Sequence, residues 1–234
     1  MPSTETARLP ADVVPLIPMR NLVLLPHALV TVSVGRERSV AALLHALATD
    51  TPVGIVLQKD TRQDDPAPGD LFAVGTLARI VHHLEPREGL HHTLCQGTQR
   101  FRIVEAVEGH PFLAARIQQI EEPADASAEL EALTLQLRER SLALISLLPS
   151  VPAELVAALQ STRGASTLAD ITASLVEIEL NEKQALLEAV STEERLRKLL
   201  PLLAHRIEVL RLSKEIGERT KEQLDDRQRK FLLR

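Results

Sequence analysis

The sequence predicts an α+β protein in which a curved sheet closing into a small β-barrel is followed by a small α-helical bundle and a long C-terminal helix. Three observations carry this. Up to about Glu122 the apolar residues fall in short β-rich runs punctuated by Pro and Gly, and beyond it they recur with a helical period. After Ser191 an apolar seam runs toward Arg234 without a Gly cap. The expected divisions are 1–122 for the barrel, 123–190 for the bundle and 191–234 for the long helix.

Strands are expected over Val13 to Met19, Leu22 to Leu25, Ala28 to Val34, Val53 to Lys59, Phe72 to Leu84, Leu90 to Gln96, Phe101 to Val107 and Phe112 to Ile120. Pro15, Pro18 and Pro26 cannot donate to a ladder, which favours edge or bulged strands near the start. One helix interrupts this part, Glu37 to Thr49, with Val40, Leu43, Leu44 and Leu47 on one stripe. From Ala126 the spacing of Leu130, Leu133, Leu137, Ile145 and Leu148 predicts a helix that stops at Pro149. Three short helices follow, opening near Pro152, near Thr167 with Asp170 three residues on, and near Asn181 with Gln184 three residues on. The last two have capping-box spacing, as does Ser191 with Glu194.

Leu196, Leu200, Leu203, Ile207 and Leu210 keep the 4-3-4-3 spacing of a coiled-coil seam. Glu194/Lys198, Glu215/Arg219, Asp225/Arg229 and Asp226/Lys230 place an acid four residues before a base, the favourable order on a helix. Pro201 removes one backbone hydrogen bond and predicts a kink or a fresh start.

The chain of 234 residues is 44% apolar but 2% aromatic, with no Trp and no Tyr, so the region between Phe112 and Phe231 must pack through Leu, Ile, Val and Ala. Net charge is −5, split between a tail of +4 over 191–234 and −9 over the rest, which argues against a dedicated nucleic-acid binder. A single Cys95 excludes an internal disulfide framework, and no apolar run reaches the roughly 18 residues of a membrane span. With no basic, apolar leader in MPSTETARLP, a cytoplasmic location is the simplest expectation.

No phosphate-cradling P-loop, nucleophile elbow or H-E-x-x-H motif is present, so no catalytic residue, bound cofactor or metal is assigned to this chain. The sharpest cluster is histidine. A turn at Glu85 to Gly89 would set His82 opposite His92 and His83 opposite His91, on opposite faces, with Cys95 two positions along the His83/His91 face. Zinc wants four ligands or three plus water, so a solvated pair and a rim pair are favoured over a metal site. Asp60, Asp64, Asp65 and Asp70 lack calcium-loop spacing and read as a solvated loop. Cys95 has no nearby base and reads as an inert thiol.

Pro15-Leu16-Ile17-Pro18-Met19-Arg20-Asn21-Leu22-Val23-Leu24-Leu25-Pro26-His27 and Val34-Gly35-Arg36-Glu37-Arg38-Ser39 closely resemble the opening of the Lon family of ATP-dependent proteases. So do Asp70-Leu71-Phe72-Ala73-Val74-Gly75-Thr76 and Gly97-Thr98-Gln99-Arg100. Leu168-Ala169-Asp170, Glu182-Lys183-Gln184, Glu194-Arg195-Leu196 and Gln228-Arg229 follow in the order of that family's helical region. The resemblance implies a PUA-like β-barrel, a helical bundle and a long helix leading toward a hexameric AAA+ ring and a Ser-Lys peptidase, neither of which is in this chain. ATP and magnesium are expected only in that absent ATPase module.

The function so implied is substrate recognition: holding exposed hydrophobic segments of unfolded or damaged proteins for protein quality control. Leu22, Leu24, Leu25 and Pro26 are the expected substrate-binding patch, because edge strands accept extended peptides, although the same residues also suit a barrel core. An alternative makes the long helix an assembly element of a homo-hexamer. A PUA-like nucleic-acid module is disfavoured by the −9 charge. No membrane partner is expected.

Overall fold

The computed structural model describes residues 8–84, 88–123 and 127–232, with the side chains of 222–232 outside the description. Residues 85–87 of the expected histidine turn, Ala126 and the pairs Asp225/Arg229 and Asp226/Lys230 therefore lie outside it.

The elements run β1 (Val13–Met19), β2 (Leu29–Val34), α1 (Glu37–Thr49), β3 (Val53–Leu57), β4 (Val74–His83), β5 (His91–Val107), β6 (Ala114–Gln119), α2 (Ala128–Leu147), α3 (Ala153–Ser161), α4 (Ala165–Leu175), α5 (Leu180–Glu188) and α6 (Thr192–Leu232). The six strands lie in the order β2-β5-β4-β3-β1-β6. β5 also pairs with β6, so hydrogen-bonded neighbours run from β5 through β4, β3, β1 and β6 back to β5. β1 and β3 are parallel, with Leu16 beside Gly54 and Met19 beside Leu57; the other pairings are antiparallel.

Two expectations about strands are corrected. Leu22 to Leu25 is extended chain outside the sheet, because its carbonyls are used elsewhere: Thr76 Oγ1 donates to Leu24 O at 2.6 Å and the Ala28 amide to Leu25 O at 3.2 Å. The runs 90–96 and 101–107 are one 17-residue strand, β5, continuous through Gly97. Gly97 is the position where that continuity needs a missing side chain, since a Cβ there would collide with the Leu25 carbonyl.

Every residue of β1 is buried, and its two faces serve two cores. Val14 and Leu16 join Val56, Leu77, Phe101, Leu113, Ala115 and Ile117 in an inner cluster. Val13, Ile17 and Met19 join a larger cluster that continues through Ala42, Leu43 and Ala46 of α1 to Leu137, Leu168, Leu186, Leu196 and Leu203 of the helical part. Alternation of period two along β1 therefore divides its side chains between the inside of the closed pairing and the layer outside it.

α1 opens at Arg36, which makes no side-chain cap, and ends at Asp50 in the left-handed region (φ 51°), whose amide donates to Ala46 O. In α2, Ser127 caps the Leu130 amide at 3.0 Å. α4 and α5 do not use the expected boxes. α4 starts after Gly164 and buries Asp170 completely; α5 uses Glu179 with Glu182, while Gln184 turns inward and donates to Val74 O at 3.1 Å. In both cases a tertiary partner for the polar side chain outcompetes the local backbone. Ser191 does accept from the Glu194 amide, at 3.4 Å.

α6 is 41 residues long, about 60 Å at 1.5 Å per residue. No fresh start occurs at Pro201: Leu196, Leu199, Leu200, Leu203 and Ile207 on either side are buried against the body, and that packing offsets one lost hydrogen bond. From Arg211 to Lys221 every side chain is exposed, including Leu212 and Ile216. The expected Glu194–Lys198 and Glu215–Arg219 pairs form at 2.7 and 2.6 Å.

Candidate functional site

β1, the first turn of α1 and the loop after β3 meet at a cleft on the surface. Leu16 and Pro18 of β1, Arg36 to Ser39, Asp64 to Pro66 and Leu113 enclose a cavity of about 340 Å³. A second, of about 270 Å³, adjoins it along Pro18, Arg36 and Ser39 and is lined by Met19, Arg20 and Asn21 on one side and Ser33 to Gly35 on the other. The floor is apolar because β1 is apolar throughout; the rim is charged because the loop and the start of α1 carry the ions.

The loop is fastened by Gln58, which is 1% exposed and donates from Nε2 to the carbonyls of Asp60 (2.5 Å) and Gln63 (3.0 Å). Its own Oε1 accepts from Arg36 Nη2 at 2.7 Å. Arg20 pairs with Asp64, and Arg38 with Asp65 at 3.3 Å. Asp60 is held below the usual carboxylate range, first by the hydrogen bond from the Arg62 side chain. Asp70 accepts from the Ala67 amide and Gln63 Nε2. The acidic loop is thus a set of separate ion pairs and turn caps.

Among the described residues Arg36 has no carboxylate of its own. Its Nη1 is buried without a hydrogen-bond partner among the described residues, and so is Nε of Arg20. Burial, then the Arg20 charge, lower the Arg36 pKa, against the pull of Asp64 and Asp65.

The residues expected to form the patch do not line this cleft and lie mostly beneath the surface. Leu22 is half-buried, Leu24 and Leu25 are 2% and 1% exposed, and Pro26 is buried. The cleft is lined instead by the upstream half of the same motif, Leu16 to Asn21, and by Val34 to Ser39. These are two of the stretches on which the family resemblance rests. Their shared ancestry signal was legible; their meeting across a cleft was not.

A second constellation joins sheet to helices. Arg100 of β5 and Arg195 of α6, 2% and 0% exposed, converge on Asp170 of α4, also 0% exposed. Arg100 Nη1 and Nη2 donate to Asp170 at 2.8 and 2.6 Å, and its Nε donates to Leu187 O at 3.0 Å. Arg195 donates to Asp170 at 3.3 Å, to Ser166 Oγ at 2.9 Å and to Ala189 O. Glu122 accepts from both arginines, at 2.9 and 2.7 Å. Two cations face two anions, and the guanidinium protons not spent on carboxylates reach backbone carbonyls or Ser166. This is the arrangement a buried charge requires.

Strand register separates the histidines. Val81 is extra between the Ile80–Cys95 and His82–Leu94 pairs, and His83 lies opposite Thr93, so the expected direct oppositions do not form. The offset is two residues, which preserves faces. His83 Nε2 still meets His91 Nδ1 at 3.0 Å, with the rings stacked, while His92 Nδ1 lies 3.0 Å from Ser33 Oγ. Cys95 is buried, which raises its pKa, and contacts Thr93 Oγ1 at 3.4 Å. Among the described residues no three His, Cys, Asp or Glu side chains are grouped to hold a metal.

Burial, then His91 and His82, lower the His83 pKa. The unfolded chain therefore takes up this proton first as pH falls, so stability is full above about pH 6.5 and declines below it until the folded-state pKa is passed. His45, lowered by burial and His110, acts in the same direction. His83→Asn should flatten part of this slope in urea denaturation between about pH 7 and 5; an unchanged slope would count against it.

Residues 13–205 match the sequence family described as the ATP-dependent protease La (LON) substrate-binding domain. The chain belongs to the Lon protease family. It is 42% identical over 227 residues to a Lon protease of Phenylobacterium zucineum and 40% identical over 233 residues to one of Paraburkholderia phytofirmans. Those alignments cover 97% and 99% of this chain but 28% and 29% of the relatives, so it spans less than a third of the length of the Lon proteases it matches. In fold it resembles the N-terminal domain of a Mycobacterium avium complex Lon protease, with a TM-score of 0.67 at 24% identity over 82% of this chain and 98% of that one. A Lon N-terminal domain protein from Xanthomonas campestris aligns with a TM-score of 0.57 at 21% identity, over 81% of this chain and 97% of that one. The matched region is the Lon substrate-binding domain, and among the described residues no helix is long and apolar enough to cross a membrane.

Proposed function

We propose that this Lon substrate-binding domain captures client polypeptides by laying an extended, partly apolar segment in the cleft between β1, the start of α1 and the 60–66 loop. One observation supports this above the others: β1, the first turn of α1, the 64–66 segment and Leu113 converge there, with the buried side chains of Leu16, Pro18 and Leu113 as an apolar floor beneath a charged rim. Unfolded and damaged proteins share exposed hydrophobes and no fixed sequence, and a shallow floor of aliphatic side chains suits such clients. Of the 22–26 segment, Leu22 is the member with surface to offer; Leu24, Leu25 and Pro26 are buried.

In this reading residues 1–122 form a PUA-like β-barrel, favoured by the cyclic strand pairing, with 123–190 as a helical bundle. Residues 191–234 lead, through the exposed Leu212 and Ile216 stretch of α6, toward ATPase and peptidase modules of a hexameric, cytoplasmic quality-control protease. Titrating the labelled chain with a chemically denatured client should shift amides of Leu16, Arg36, Ser39 and Leu113. Shifts confined to the exposed α2 residues Leu135 and Leu142 would overturn this choice of site.

A further inference from the structure

We infer that the cleft carries a carboxylate-binding subsite, built by Arg36 and Arg20, so that it favours client segments with an acidic side chain or a free C-terminal carboxylate beside an apolar stretch. This rests on the reading of the cleft as the client site.

The charge balance at the cleft is the starting point. Arg20 pairs with Asp64 and Arg38 with Asp65, whereas among the described residues Arg36 makes its one side-chain hydrogen bond to the neutral Oε1 of Gln58, with Asp64 and Asp65 acting on it only at longer range. Arg36 Nη1 and Arg20 Nε are both buried from solvent and both unpartnered among the described residues. Both arginines line the 270 Å³ cavity, and they are close enough for Arg20 to depress the Arg36 pKa. Both side chains are only partly buried, but a guanidinium nitrogen withdrawn from water with an unused donor is costly, and a second cation nearby adds to the cost. A carboxylate entering the 270 Å³ cavity would meet the two arginines on its wall through charge-assisted hydrogen bonds of the kind arginine makes best. Its neighbours reinforce the choice. α1 begins at Arg36 without a side-chain cap, so the positive end of a 13-residue helix opens on the same space. The 270 Å³ cavity is lined by both arginines and by Asn21, Ser33 and Ser39 with no acidic residue, and Ile17, Pro18 and Met19 give it an apolar side; Glu37, Asp64 and Asp65 line the adjoining 340 Å³ cavity.

Two arms test this on the full chain. In the first, sodium acetate and inorganic phosphate are titrated at constant ionic strength while the Arg side-chain signals are followed. Acetate should shift Arg20 and Arg36, and Arg36→Gln should abolish the Arg20 response. Phosphate binding tighter than acetate, with no peptide preference in the second arm, overturns the assignment in favour of a phosphate site. In the second arm, two apolar peptides differing only in Glu or Gln, each with a free or amidated C-terminus, are compared by fluorescence anisotropy. The Glu peptide should bind about tenfold tighter than the amidated Gln peptide, as expected when one acceptor meets a buried guanidinium. The ratio should fall to one in Arg36→Gln and take an intermediate value in Arg36→Lys, both checked for native melting. Equal binding of all peptides to the unmodified chain overturns the carboxylate subsite and leaves the cleft as client site. Peptide binding that produces no shift at Leu16, Ser39 or Leu113 overturns the cleft reading, while the acetate response reports on the arginines independently. No peptide binding and no acetate response removes both.

Discussion

Replacing Asp170 by alanine is expected to lower the free energy of unfolding by about 3–5 kcal/mol, the cost of stripping the partner from buried charge. The side chain is fully buried and is the shared acceptor of Arg100 and Arg195, which reach it from β5 and α6. Without it two guanidiniums remain in the interior with Glu122 as their only carboxylate among the described residues. Urea denaturation followed by far-UV circular dichroism reads the effect, since the chain has no Trp or Tyr for fluorescence. A loss below about 1 kcal/mol would show that water reaches the arginines and that the cluster behaves as a surface pair. The charge also sets the acid limb of stability. Burial pushes the Glu122 carboxyl up, but the hydrogen bond from Ser166 and the two arginines outweigh it and its pKa falls. A carboxylate with a depressed folded pKa contributes stability above about pH 4.3 and loses it as pH drops through the folded value.

Phe101→Ala is expected to cost about 3–5 kcal/mol, for a different reason. Phe101 is 0% exposed and fills the inside of the closed strand pairing, where a Cβ at either Gly54 or Gly75 would stand within 3.0 Å of its ring. Two glycines on neighbouring strands thus make room for one aromatic, and the alanine variant would leave a hole lined by β-strands that cannot collapse. The same urea titration measures it, with an unchanged m-value expected if the fold persists. A cost under about 1.5 kcal/mol would mean that Leu16, Leu77 and Ile117 close the space.

Much of the architecture was readable from spacing. The limits of β1 and α1, the opening of α3 after Pro152 and the start of α6 after Ser191 all follow from local rules: period two, period 3.6, proline at a helix entrance and a serine cap. The misreadings fall where a distant group competes with a local one. Thr167 and Asp170 have the spacing of a capping box, but Asp170 meets two arginines 70 residues upstream and 25 downstream, and ion pairs in the interior outweigh a cap. Leu22 to Leu25 has strand composition, yet the close approach of Gly97 and the Thr76 hydroxyl hold it out of the sheet. The direct opposition of the histidines needs a β4–β5 register two residues from the one observed, and that register is set by pairing along both strands and not by the turn alone.

The candidate site shows the same division. That Pro15 to His27 and Val34 to Ser39 matter was apparent from the residues themselves, and so was membership in a protease family. That Pro18, Arg20 and Arg36 share one cleft over the buried Leu16, while Leu24 and Leu25 contribute nothing to its lining, depends on how β1, the start of α1 and the 60–66 loop are brought together. Periodicity and capping act between residues a few positions apart, so composition and order suffice to state them. Burial, charge pairing and the opening of a cleft depend on groups brought together from across the chain, and those energies exist only once the sheet has closed and the helices have packed on it.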